Sequence, residues 1–82
     1  NVYLFGGSIM AEFTYEVITN FGQLSESSRG WKKEVKLISW NGKEAKYDIR
    51  EWSPENDKMG KGVTLSAEEM KALKDLLNKM DL

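Results

Sequence analysis

The 82-residue sequence predicts an α+β domain, a four-stranded antiparallel sheet followed by one C-terminal helix (β-β-β-β-α). Three observations predict it. Apolar and polar residues alternate from Phe13 onward, and again on both sides of an Asn41-Gly42 pair, which is the period of half-buried strands joined by a tight turn. The connections between these runs are short, so neighbouring strands pair antiparallel. Only the last stretch, "SAEEMKALKDLLNKM", changes to the helical period, and its apolar stripe needs a sheet face to cover.

The first nine residues, "NVYLFGGSI", are uncharged, contain a Gly-Gly-Ser linker and precede Met10. They are set aside as a fused-peptide remnant or linker, the alternative being a short N-terminal strand, and residues 10–82 are read as one domain. In "FTYEVITNF", Phe13, Tyr15, Val17 and Phe21 share one parity, giving the first strand. "GQLSESSRG" is rich in Gly and Ser and reads as a connection. "WKKEVKLISW" is the second strand and "AKYDIREW" the third, with Asn41-Gly42 between them. "SPENDKMG" holds the single proline and reads as a loop before a short fourth strand, "KGVTL". In the helix, Ser66 and Glu69 form a capping box, and Glu68 adds charge at the positive end of the helix dipole. Met70, Leu73, Leu76, Leu77 and Met80 fall at helical spacing.

The hairpin register follows from burial. A two-residue loop would pair Trp40 with Lys43 and mix lysines into both faces, which burial disfavours. A three-residue loop over Asn41-Gly42-Lys43 pairs Trp40 with Glu44. Val35, Leu37, Ala45, Tyr47 and Ile49 then form one apolar face under the helix, while Lys32, Lys36, Trp40, Lys46, Arg50 and Trp52 share the other.

Composition narrows the function classes. No apolar run reaches the ~20 residues of a membrane span, and no signal-peptide pattern is present. The absence of cysteine removes disulfides and thiolate metal sites, so a cytoplasmic location is expected. Without histidine or cysteine the commonest general base and thiol nucleophile are missing. Asp48 and Glu51 have opposite parity and cannot form a carboxylate pair on one face. No catalytic site, metal, cofactor or small-molecule substrate is therefore expected. The chain is short enough to bury only about 60% of its unfolded surface, and gains from oligomerising.

Net charge is −1, but the positive charge is concentrated in the middle of the chain. Between positions 29 and 50 the cations Arg29, Lys32, Lys33, Lys36, Lys43, Lys46 and Arg50 face only Glu34, Glu44 and Asp48, a local +4. On the face turned from the helix, two tryptophans are interleaved with basic side chains. Flat rings accept unstacked bases and cations accept the phosphates between them, which suits a single-stranded nucleic acid. The same pattern also fits a protein interface, where Trp and Arg are enriched, or a solvated edge, and all three readings stay open on pattern alone. Asp48 on this face would orient Arg50 or a neighbouring lysine. Lys32 and Lys36 are equally readable as solvated, and Lys33 has the inward parity. Trp31 shares the parity of Val35 and reads as core or rim. Gly60 and Gly62 flank one lysine and lack the spacing of a phosphate-cradling loop.

"KYDIREW", a polar loop, then "KMGKGVTLSAEEMKALKDLL" resembles the C-terminal domain of the positive cofactor four transcriptional coactivator family. With "RGWKKEV" and "ISWNG" upstream, the chain is most similar to the bacterial YdbC-like branch, over roughly Phe13 to Met80. The resemblance implies curved sheets and a homodimer built through the C-terminal helix, with Met70, Leu73, Leu77 and Met80 at the seam. It also implies single-stranded DNA held with little sequence preference. Arg50 matches a DNA-contacting arginine, Trp40 the stacking aromatic of the hairpin and Lys43 a basic turn residue. Trp52 lies near the aromatic ending the third strand, where the family often has two, and Lys61 matches a basic residue entering the fourth. The hairpin is one residue longer than in eukaryotic members. The expected function is non-catalytic single-stranded DNA binding by a homodimeric, cytoplasmic, nucleoid-associated bacterial protein in transcription, replication or repair. Single-stranded RNA binding on the same face and a protein-interaction module are the alternatives.

Overall fold

The computed structural model describes residues 2–4 and 12–82, with side chains from Thr14 onward. The elements are β1 (Val2–Leu4), β2 (Glu12–Glu26), β3 (Lys32–Trp40), β4 (Lys46–Trp52), β5 (Met59–Leu65) and α1 (Ala67–Lys79). The strands form one antiparallel sheet in chain order. β2 to β5 and α1 are the expected four strands and terminal helix. β1 adds a short edge strand from the segment set aside, pairing Val2 with Thr14 and Leu4 with Glu12. The rest of that segment, and Met10, lie outside the described residues.

β2 departs most from expectation. It continues through Gly22–Glu26, more than half of the stretch read as a connection. Its ladder with β3 shifts register three times, between Val17 and Thr19, Asn20 and Gly22, and Gln23 and Ser25. Each shift inserts one residue, bends the strand and ends the simple alternation of faces. Gly22 permits one of them at φ 140°, and its N–H donates to Asn20 Oδ1 at 3.0 Å. Tyr15 stays opposite Trp40. Phe21, of the same parity, instead reaches the helix face and stacks on Tyr47, ring centroids 5.9 Å apart.

The β3–β4 register is the one burial selects: Leu37 opposite Tyr47, Val35 opposite Ile49 and Lys36 opposite Asp48. Asn41 (φ 52°) and Gly42 (φ 74°) make the turn, and Lys43 N donates to Trp40 O at 2.9 Å. Positive φ at two successive residues is what an Asn-Gly pair tolerates best. Asn41 also fastens the turn to β2, its N–H donating to Thr14 O and its Oδ1 accepting from Thr14 N.

α1 starts with both arms of the capping box, Glu69 N to Ser66 Oγ at 3.1 Å and Ser66 N to Glu69 Oε1 at 2.9 Å. It lies over the face of Val35 and Tyr47, as expected, yet none of its residues is buried. An open cavity of about 540 Å³ separates it from Tyr47, lined by Met70, Leu73 and Leu77, and a second of about 310 Å³ continues to Phe21, Leu24 and Val35. The tightest packing is on the opposite face, where Tyr15, Ile38 and Trp52 are 5%, 0% and 1% exposed, with Trp40 and Met59 against them. The curved sheet closes this face on its own side chains. The face expected to be an open platform thus holds the most deeply buried side chains of the chain among the described residues.

Candidate nucleic-acid interface

The face turned from α1 is organised by two ion pairs. Glu34 and Lys36 on β3 pair at 3.0 Å, and Asp48 and Arg50 on β4 pair at 2.8 Å. Alternation along a strand puts residues two apart on one side, and the register sets Lys36 opposite Asp48 and Glu34 opposite Arg50. The four charges form a square in which each cation has anionic neighbours.

Asp48 is fully buried and takes both Nε (2.8 Å) and Nη2 (3.0 Å) of Arg50. Thr64 Oγ1 donates to the same carboxylate at 2.8 Å from β5, and Arg50 Nη1 donates to Gly60 O at 3.1 Å. Arg50, held on both sides, carries its guanidinium 5.4 Å from the centroid of the Trp40 ring, with 18% of its side chain exposed. Trp40 ends β3 beside the turn, half-buried, its ring tilted against Tyr15 at 5.8 Å. β5 comes close enough to β4 here that only glycine fits at position 62, where a Cβ would lie 2.6 Å from Ile49 O and from Arg50 Cβ.

Lys36 and Trp52 have a different place from the one the pattern suggests. Both are buried, Lys36 at 3% and Trp52 at 1%. Lys36 Nζ sits 3.6 Å over the Trp52 ring and donates to Asn56 Oδ1 at 2.6 Å, besides pairing with Glu34. Their contacts are internal ones, beneath the rim of that face. Period-two reasoning assigns a side but not a depth. The same parity also places Glu34 and Ile38 on this face, which is the signal that would have exposed the internal pairing.

The other expected residues are at the rim. Lys43, Lys46 and Lys61 are exposed, and Lys32 is half-buried opposite Trp52. Trp31 is half-buried away from Trp40, lining a cavity of about 300 Å³ with Ser53, Pro54 and Lys58 of the β4–β5 loop. Buried Ser53 braces that loop: its Oγ donates to Asp57 Oδ1 at 2.7 Å and accepts from the backbone N–H groups of Asp57 and Lys58. The hydroxyl holds the Asp57 carboxyl below its ordinary value. In the helix stripe, Met70 and Leu73 are half-buried, while Leu77 and Met80 are exposed.

Comparison with known families matches the part of the chain that holds β3, β4, β5 and most of α1. The profile of Transcriptional Coactivator p15 (PC4) matches residues 27–76, more than half of the chain. The chain belongs to this family. The matched span runs from the turn before β3 to the penultimate turn of α1, and so contains Trp40, Asp48, Arg50 and Thr64. PC4 domains are non-enzymatic and bind nucleic acid. β2, with its three register shifts, precedes the match. An uncharacterized protein of Treponema pallidum (strain Nichols) is 58% identical over 77 residues, covering 94% of this chain and 91% of the relative.

Proposed function

We propose that this PC4-family chain binds single-stranded DNA without catalysing a reaction and with little sequence preference. The observation that carries the reading is Arg50, fixed by Asp48 and lying over Trp40. A cation immobilised beside an aromatic ring supplies both a phosphate contact and a stacking surface at one point. Stacking contributes roughly 1–3 kcal/mol per base and is sequence-tolerant. Lys32, Lys43, Lys46 and Lys61 at the rim add the salt-dependent attraction of counterion release. Lys36 and Trp52 act beneath them as supports. The protein would serve wherever duplex DNA is opened, in transcription, replication or repair, as a cytoplasmic, nucleoid-associated factor of a bacterium.

The active unit in this reading is a homodimer. Leu77 (43% exposed) and Met80 (53%) on α1, together with Phe21 and Leu24, leave an apolar surface beside the two open cavities that a second copy would cover.

Tryptophan fluorescence during titration with a twenty-nucleotide dT oligomer at two salt concentrations tests the function, with Trp40→Ala and Arg50→Ala alongside. Quenching that weakens with salt and is lost in both variants supports it. No quenching at low salt and micromolar protein sinks it. Competition with an rU oligomer decides between DNA and RNA.

A further inference from the structure

A fully buried carboxylate is out of place on a surface meant for a polyanion. Asp48 is that carboxylate, and no simple charge argument gives it a use there. A guanidinium has five N–H donors. Asp48 takes one from Nε and one from Nη2, and Gly60 O takes one from Nη1. One N–H therefore remains on each terminal nitrogen, enough for two contacts to a single phosphate. The carboxylate is held in turn by Thr64, its cross-strand neighbour on β5, so that β4 and β5 fix the direction of Arg50 together. A free arginine side chain has several rotors whose entropy is lost when it binds. Here most of that loss has already occurred on folding.

We infer that Asp48, braced by Thr64, is a positioning residue that aims Arg50 at one backbone phosphate next to the base stacked on Trp40, so that this buried acid strengthens the hold on single-stranded DNA. The inference rests on the DNA-binding reading. It opposes the simple electrostatic expectation, in which removing a negative charge from the face would tighten binding to a polyanion. The acid is shielded from the ligand by burial and neutralised by Arg50, so its effect is geometric.

The test is binding of a labelled twenty-nucleotide dT oligomer to the full chain over a series of salt concentrations, with thermal melting of each variant. Asp48→Asn is expected to weaken binding roughly tenfold, the worth of one charge-assisted hydrogen bond. It should also flatten the slope of log affinity against log salt by about 0.7, the loss of one phosphate contact on a single strand. In an Arg50→Ala background, Asp48→Asn should cause no further loss. Equal or tighter binding by Asp48→Asn with an unchanged slope overturns the inference, and so does a loss that persists without Arg50, since that role would be structural only. If Asp48→Asn does not fold, Thr64→Val carries the test, because it leaves both charges in place. A loss of roughly threefold is then expected, and unchanged affinity overturns the proposal. Failure of the unaltered protein to bind dT would instead refute the function itself.

Discussion

Lys36 Nζ lies 3.6 Å over the ring of Trp52, and both residues are buried. The ammonium is there because Glu34, also buried, needs a cation, and the Trp52 ring and Asn56 Oδ1 complete its surroundings. Removing one partner of a buried pair costs about 3–5 kcal/mol, because the other is left charged and unpaired. Lys36→Met keeps the apolar stem on Trp52 and should cause a loss of that order in urea denaturation. Adding Glu34→Gln should recover most of it.

Phosphate attraction should come from the rim. Lys46→Gln and Lys61→Gln are each expected to reduce the salt slope of dT binding by about 0.7, one contact on a single strand. Lys36→Met, measured where it is still folded, should leave the slope unchanged. A slope that responds to Lys36 and not to the rim lysines would reverse the assignment.

Gly62 carries no side chain because Arg50 occupies the space. A Cβ there would lie 2.6 Å from Ile49 O and 2.7 Å from Arg50 Cγ. Gly62→Ala should destabilise the domain by about 1–3 kcal/mol through overpacking. The Arg50 Nε–H resonance should shift with it, which a purely global destabilisation would not produce.

The helix face predicts concentration dependence. If a second copy covers Leu77 and its neighbours, melting temperature should rise with protein concentration. Leu77→Lys should give a monomer by sedimentation velocity, and its melting temperature should no longer depend on concentration.

The β4–β5 loop should be acid-sensitive. Hydrogen bonding from Ser53 holds the Asp57 carboxyl below its usual 3.8, so the folded state favours the ionised form. The resulting stabilisation is complete above the ordinary value and is lost as pH falls through the lowered one. Protection of the Asp57 and Lys58 amides, relative to their intrinsic exchange rates, should be constant at neutral pH and fall in that acid range. Ser53→Ala, which removes the hydroxyl that accepts from both N–H groups, should show low protection at every pH.

The four strands β2 to β5, the helix bounds and the β3–β4 register were legible because each rests on a short-range rule. Asn41-Gly42 specifies a turn, Ser66 and Glu69 cap a helix, and one register alone separates Val35, Leu37, Tyr47 and Ile49 from the lysines. β2 was legible as a strand only to Phe21, and its facing only to the first bulge at Ile18, since period two has no meaning across an inserted residue, and Gly22 and Ser25 look the same in a bulged strand as in a loop. For the site, Arg50 and Trp40 do come together. What the pattern could not supply was depth: Trp52 and Lys36 share a side with Trp40, but sheet curvature puts them at the bottom. Curvature arises from twist and bulges accumulated over several strands, and no single window of sequence contains it.

The bulges in β2 have a consequence for its outer edge. Beyond Thr14, no strand among the described residues covers the outer edge of this fifteen-residue strand, and Ile18, Phe21 and Leu24 along it are exposed. A flat edge of that length and composition is a template on which further chains stack into fibrils. Three shifts in register leave no straight run on it long enough for a fourth or fifth residue of a foreign strand to stay in phase. The irregularity that hides β2 from sequence reading also makes its edge a poor template for a further strand.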